Sequence, residues 1–137
     1  MERAVEWRLL EAARVGVLGT LQSDGSPHLV PCVFAIRDCS IYLPVDAKPK
    51  RTRSLRRVQN LERNPAATLL VQEWDEDWTR LSWVRLDGRA RVVTSPDELG
   101  VARRLLLARY AQYQVPEELY PMIALDVERW RAWRARE

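Results

Sequence analysis

The chain has 137 residues, 47% of them hydrophobic and 30% charged, a length and balance that suit one domain, 1–137, able to bury a core. No apolar run approaches the roughly 20 residues needed to cross a bilayer, and the opening Met1-Glu2-Arg3-Ala4-Val5-Glu6-Trp7 reads as too charged for a signal peptide, so a cytoplasmic protein without a membrane partner is expected. The formal charge of +3 is uneven: between Lys48 and Arg63 seven Lys/Arg and one acid make a local +6, a patch suited to facing an anion rather than a general basicity.

In chain order, residues 2–13 read as an amphipathic helix with Val5, Leu9, Ala12 and Ala13 on one face. Residues 15–21 read as a strand whose two glycines point to close approach of another group. Ser23-Asp24-Gly25-Ser26 is a hairpin turn. From Pro27 to Ile36 the chain is almost continuously apolar, which predicts one strand covered on both faces. Arg37-Asp38 then turns into a third strand, 39–43. That hairpin pairs position 32 with 43 and 39 with 36, so Cys32 and Cys39 are expected as two free, buried thiols that do not face each other.

Pro49 is tolerated at the start of a helix, which is predicted to run to about Asn64 with Leu55, Val58 and Leu61 as its apolar stripe and Pro65 as its stop. Strand 66–72, the acidic loop 73–77 and a long strand 78–93 interrupted near Asp87-Gly88 follow. Ser95-Pro96-Asp97-Glu98 has the spacing of a capping box and opens a helix to about Tyr110. Residues 123–127 form the last predicted strand, and 128–137 a tail with Trp130 and Trp133 among four arginines. About six strands joined mostly by hairpins, with two or three helices, suit a small closed barrel. The lack of regular strand–helix alternation argues against a doubly wound sheet.

No dinucleotide fingerprint, P-loop or nucleophile elbow is present. One His and two Cys make no zinc-type ligand set, and the side chains supply no catalytic set, so the chemistry is expected from a cofactor. The strongest single feature is Lys48-Pro49-Lys50-Arg51-Thr52-Arg53-Ser54-Leu55-Arg56-Arg57, which joins a helix start to a cluster of cations. Helix N–H groups and arginine forks both bind phosphate; a solvated basic helix face is the plainer reading of the same residues.

Taken together, the strand 15–21, Asp24-Gly25-Ser26-Pro27-His28, the strand 29–34, Lys48-Pro49-Lys50-Arg51-Thr52-Arg53, Asn60-Leu61-Glu62-Arg63-Asn64-Pro65, the strand 67–71, Asp77-Trp78 and Val84-Arg85-Leu86-Asp87-Gly88-Arg89-Ala90 resemble the pyridoxamine-phosphate-oxidase-like flavin-binding split barrels. Within that family they most resemble the actinobacterial branch that uses coenzyme F420, a deazaflavin. The resemblance spans almost the whole chain and lies in the order and spacing of the pieces. It implies a mainly β, six-stranded antiparallel split β-barrel with flanking helices, FMN-binding-like, working as a homodimer with the cofactor site at the interface.

It further implies that the basic residue eight positions before Pro65, Arg57, contacts the cofactor phosphate with Arg56 beside it. Lys50, Arg51 and Thr52 at the helix start do the same in the deazaflavin branch. Val30, Pro31, Cys32 and Val33 lie along the tricyclic ring, and the loop around Trp78 closes the site. The stretch from Lys50 to Asn60 is longer than in many relatives, which leaves both Lys50 and Arg57 as leading phosphate contacts. The expected activity is hydride transfer from reduced coenzyme F420 to a flat organic acceptor, with Trp78 and Trp83 as walls of its pocket. FMN in place of coenzyme F420, and a flavin or haem carrier without turnover, are the alternatives. Nucleic-acid binding is disfavoured because the basic patch is short and the remainder of the chain is net acidic.

Overall fold

A computed structural model describes residues 2–45, 51–113 and 119–135, with side chains described from Trp7 onward and, in the second helix, from Arg56 onward. Its elements are α1 (Glu2–Ala12), β1 (Gly16–Leu21), β2 (Pro27–Cys32), β3 (Ala35–Arg37), β4 (Ser40–Pro44), α2 (Arg51–Arg63), β5 (Ala66–Glu73), a single 3-10 turn (Trp78–Arg80), β6 (Ser82–Val92), α3 (Pro96–Arg109) and β7 (Met122–Arg134). The strands form one antiparallel sheet in the order β2-β1-β5-β6-β7-β4-β3. The fold is a curled half-barrel with helices against it, as expected, but with seven strands rather than six.

The extra strand comes from the apolar run 27–36. It breaks after Cys32, pairs with β1 on one side of the break and with β4 on the other, and so bridges the two ends of the sheet order. The expectation that both of its faces are covered fails for the first half. There the residues alternate, His28, Val30 and Cys32 inward and Pro27, Leu29 and Pro31 outward, and Leu29 is 68% exposed. A continuous apolar run hides this alternation because Leu and Pro occupy the outward positions.

The hairpin after β3 also sits one residue later than expected. Ile36 pairs with Ile41 and Arg37 with Ser40, while Asp38 takes a positive φ of 55°, a conformation that Asp tolerates. Cys32 therefore pairs with Gly16 of β1. Cys32 is buried, Cys39 is exposed, and neither is in a disulfide, which corrects the reading of two buried thiols. At the other hairpin, Gly25 supplies a φ of 87° and the Asp24 carboxylate accepts from both the N–H and the hydroxyl of Ser26, at 3.0 and 2.6 Å.

The inner face gathers Leu18, Phe34, Ile41, Leu43, Leu69, Val71, Val84, Leu86, Ile123 and Leu125, closed by Leu10 of α1 and by Val58 and Leu61 of α2. The buried face of α1 is thus centred on Leu10, with Leu9 and Ala13 beside it; Ala12 is exposed. Val5 and Leu55, named above for the helix stripes, have side chains outside the described residues. On the opposite face of β3, β4 and β7, Ala35, Tyr42, Met122 and Ala124 meet Ala102 and Leu106 of α3 in a second cluster.

The predicted tail is the second half of β7. Residues to Arg134 pair with β6, and Glu128 is left unpaired because Asp87 faces Arg129 while Gly88 faces Val127. This bulge shifts the inward set from Ile123, Leu125 and Val127 to Trp130 and Ala132, all against the same core. A Cβ on Gly88 would lie 2.0 Å from the Asp126 carbonyl oxygen, so the interruption expected near Asp87-Gly88 is real and rests on backbone proximity.

Arg91 of β6 ties these layers together. It donates to the Glu98 carboxylate at 2.9 Å and to Asp126 at 2.7 Å, while Tyr42 donates to Glu98 at 2.9 Å. The capping box is therefore half formed. Ser95 accepts from the Glu98 N–H at 3.3 Å, but the Glu98 carboxylate serves Arg91 and Tyr42. Arg91 holds both carboxylates below their ordinary range, so their stabilisation is full above that range and is lost as pH falls below it through the lowered values.

Gly88→Ala is expected to destabilise the protein by about 3 kcal/mol or more, since the obstruction is backbone on both sides. Urea unfolding followed by tryptophan fluorescence measures this; an unchanged midpoint would show that the bulge does not depend on close approach.

Candidate cofactor site

The second helix lies over β1 and β2 through a polar seam above its apolar stripe. Asn60, buried to 1% exposure, donates to Thr20 Oγ1 at 3.1 Å. Arg63 donates to Asn60 Oδ1 at 2.9 Å and to the Leu21 carbonyl at 3.3 Å. Arg56 donates to Gln22 Oε1 at 2.9 Å, and Gln22 in turn donates to Ser26 Oγ at 2.9 Å. Opposite Thr20 on the neighbouring strand stands His28.

Two nitrogens in this seam, His28 Nδ1 and Arg57 Nε, are buried without a hydrogen-bond partner among the described residues. Leaving such a group unpaired costs about 1–3 kcal/mol, and buried polar atoms are otherwise almost always paired. A third such nitrogen, Arg103 Nε, stands on α3. Burial first, then the charges of Arg57 and Arg56, hold the His28 imidazole below its ordinary value. Burial likewise pushes the Cys32 thiol up to about 11, with Arg57 offsetting part of the effect. The charge of Arg57 thus bears on both His28 and Cys32. At neutral pH the imidazole is uncharged and the thiol is protonated, so neither is a charged partner for an arginine, and the seam is positive.

The residues singled out from sequence fall into separate groups. Arg56 and Arg57 come together at the seam, Arg56 exposed and Arg57 half-buried. Lys50 lies outside the described residues, as do the side chains of Arg51 and Thr52, although α2 begins at Arg51. The four ring-contact positions do not share a face. Val30 and Cys32 pack inward against the core, Pro31 points outward, and Val33 joins the second cluster beyond the end of β2. Val30, Pro31 and Cys32 share only β2, the first strand in the sheet order and therefore an edge.

Trp78 is 67% exposed in the 3-10 turn at the tip of the β5–β6 hairpin. Asp77 caps this turn by accepting from the Thr79 N–H at 3.1 Å, and the Trp78 ring meets Trp74 edge-on with centroids 6.4 Å apart. Trp83, rather than Trp78, lines the depressions of the surface.

One of these depressions was not foreseen. On the outer face of β2, β1, β5 and β6, Val17, Gly19, Leu29, Leu70, Trp83 and Arg85 border an open apolar trough of about 600 Å³. Its signal in the sequence is the occupation of outward strand positions by Val, Leu and Gly instead of polar residues. A second, of about 420 Å³, lies between α1 and the ends of β6 and β7, with Arg8, Trp83 and Trp133 among its walls. Among the described residues no helix is long and apolar enough to cross a membrane.

A family model described as pyridoxamine 5'-phosphate oxidase matches residues 4–134. Among solved structures, a conserved hypothetical protein from Mycobacterium tuberculosis is similar at a TM-score of 0.81 and 26% identity, over 99% of this chain and 86% of that one. A FAD-binding protein from Mesorhizobium loti is similar at 0.71 and 19% identity, over 96% and 94%. HutZ, the haem storage protein of Vibrio cholerae, is similar at 0.73 and 16% identity, over 97% and 93%. At their identities the latter two show the shared fold alone. No curated protein matches the chain.

The thiols give a direct check on the placement of β2. At about pH 8 an exposed thiol is open to a disulfide reagent, whereas one buried and held protonated in the core is not. One thiol per chain, Cys39, is expected to react in the native protein and two after denaturation. Two fast thiols in the native state would put Cys32 outside the core.

Proposed function

Because the chain belongs to the pyridoxamine 5'-phosphate oxidase family, we propose that it is an oxidoreductase that binds a phosphate-bearing flavin, and specifically that it uses reduced coenzyme F420 to reduce a flat organic acceptor. The observation that carries the cofactor reading is the α2 seam, where Arg57 holds a buried nitrogen without a partner beside exposed Arg56. A cofactor of this class needs cations at its phosphate, a flat apolar surface at its rings and hydrogen-bonding groups along the rings' polar edge. The residues present fit all three needs: the two arginines, the outer trough and the free edge of β2.

When bound, the reduced deazaflavin supplies a hydride. The protein then has to bind, orient and exclude water. Arg56 and Arg57 hold the phosphate by charge and by directed N–H donors. Lys50, Arg51 and Thr52 extend the same cluster along the chain. The free edge of β2 offers the Leu29 N–H and the carbonyls of Leu29 and Pro31, while the backbone groups of Val30 and Cys32 are turned to Leu18 and Gly16 of β1. On this reading the contact implied for Val30, Pro31, Cys32 and Val33 is made at the edge through Leu29 and Pro31, while Val30 and Cys32 hold the strand from its inward side.

A second copy of the chain completes the site. Leu29 at 68% exposure, Trp78 at 67% and Trp133 at 45% are large apolar side chains left open, and the trough is shallow and apolar. Covering it in a homodimer removes water from the ring's surroundings and brings Trp78 of each protomer within reach of its partner's cofactor. FMN is the second reading, since a phosphomonoester suits the same arginines. The choice of coenzyme F420 rests on the local +6 charge, which favours the more anionic cofactor.

Tryptophan-fluorescence titration with coenzyme F420 and separately with FMN decides between them. Micromolar or tighter quenching by coenzyme F420 is expected, weakened at least about tenfold in Arg57→Ala, the loss of one charge-assisted contact. Tight FMN binding with no response to coenzyme F420 would overturn the deazaflavin assignment. Light scattering is expected to give twice the 16.0 kDa chain mass; a species at the chain mass itself would remove the partner from the site.

A further inference from the structure

His28 has no place in the function proposed above, yet its setting is unusual. It is the chain's only histidine. It stands on the inward side of β2, across from Thr20, whose hydroxyl is already engaged by Asn60. Its Nδ1 is buried and unpartnered among the described residues, as is the Nε of Arg57. The groups that bear on its charge are Arg57 and Arg56 of α2. Along β2 the same side carries Val30 and the neutral Cys32. Across on β1 are Thr20 and, beyond it, Gln22, which holds Arg56. Asp24, in the turn, spends its carboxylate on Ser26. Among the described residues no carboxylate contributes to the charge balance of His28.

We propose that His28 Nδ1 and Arg57 Nε are the two inner donors of a single anion site, completed by Arg56, and that filling this site is coupled to uptake of a proton by His28. The inference rests on the cofactor reading for the identity of the natural anion, a phosphate ester, but not for the existence of the site.

The physical argument has two steps. Without an anion, burial and two neighbouring guanidiniums disfavour the imidazolium, and a neutral imidazole offers Nδ1 as a donor in only one of its tautomers. With an anion between the three groups, the repulsion from Arg56 and Arg57 is offset, and the imidazolium gains an opposite charge at hydrogen-bond distance. Protonation then turns Nδ1 into an obligatory, charge-assisted donor. The only bond made is one imidazole N–H, its proton given up by hydronium or a buffer acid in solution, one for each anion held. The free site carries His28 neutral, the filled site carries it charged, and affinity therefore rises as pH falls between the two values, by up to about tenfold per pH unit for one proton. Arg56 is the movable member, since it is exposed and restrained by its bond to Gln22.

A single histidine gives one assignable imidazole Cε1–H signal, so proton NMR of the whole protein reads the titration directly. The probe is inorganic sulfate, whose charge is constant across the range, against chloride at equal ionic strength. His28 is expected to titrate below its ordinary value in chloride and to move upward in sulfate. A thermal shift with sulfate is expected to grow as pH falls in the native chain and to lose that slope in His28→Gln. A titration midpoint that is the same in chloride and in sulfate would overturn the proposal, whether sulfate binds elsewhere or not at all. Coenzyme F420 added at fixed pH separates this from the cofactor reading. If sulfate moves His28 and coenzyme F420 does not bind, the anion site stands and the cofactor assignment falls. If coenzyme F420 binds and leaves the His28 signal in place, the coupling falls and the cofactor assignment stands.

Discussion

The half-barrel depends on one close backbone approach, that of Gly88 to the carbonyl of Asp126. It lets β7 carry one more residue than β6 at Glu128. Before the bulge β7 is covered on both sides, by the inner core through Ile123 and Leu125 and by the α3 cluster through Met122 and Ala124. After it the strand has only an inner partner, and Arg129, Arg131 and Trp133 face outward. One strand thus serves as the buried spine at one end and as an open rim at the other. A strict alternation without the bulge would turn the residues of one half to the wrong face.

The helices are placed by arginines that spend their donors on the fold. At the end of α3, Arg109 donates to the carbonyls of Leu10, Glu11 and Ala13, and so caps the end of α1, whose last carbonyls have no partner within the helix. Tyr110, next to it, accepts from the Phe34 N–H at 3.2 Å and so fixes the break between β2 and β3. These contacts bring α1, α3 and the strand break into one corner. The seam of α2 with β1 and β2 is independent of that corner, held by Asn60, Arg63 and Arg56. A ligand can therefore be accommodated at the seam without dismantling the core.

Much of this was legible in the residues. Pro65 stops α2, Ser95 opens α3, Gly25 takes the positive φ of its turn and Gly88 marks the interruption of the long strand, because each of these is decided locally. The misreadings have a common cause in packing that sequence periodicity does not carry. The run 27–36 looks uniformly apolar, yet Leu29 faces out and Val30 in. The tail 128–134 looks polar because its outward positions hold arginines, while Trp130 and Ala132 keep the strand period against the core. At the site, the pair Arg56 and Arg57 was visible as charge, and its pairing with His28 was not, since Thr20 and His28 meet only through strand register.

Comparison among the arginines gives the seam its meaning. Arg91 is met by Glu98 and Asp126, and Arg109 by three carbonyls and the Tyr110 hydroxyl. In both cases the guanidinium is satisfied by acceptors that the fold itself supplies, as expected where a buried or half-buried cation serves structure. Arg57 differs. Its Nε is buried and unpartnered, its neighbours at the seam are an uncharged imidazole and a protonated thiol, and a second arginine adjoins it in sequence. A structural cation in that position would be better served by a nearby carboxylate, or replaced by an apolar residue continuing the stripe of Val58 and Leu61. An unpartnered nitrogen on Arg57 is a cost that the described residues do not offset, whereas Arg56 is exposed and held by Gln22. That imbalance is what supports the phosphate contact proposed for Arg57, because an anion would supply the acceptor that the fold does not.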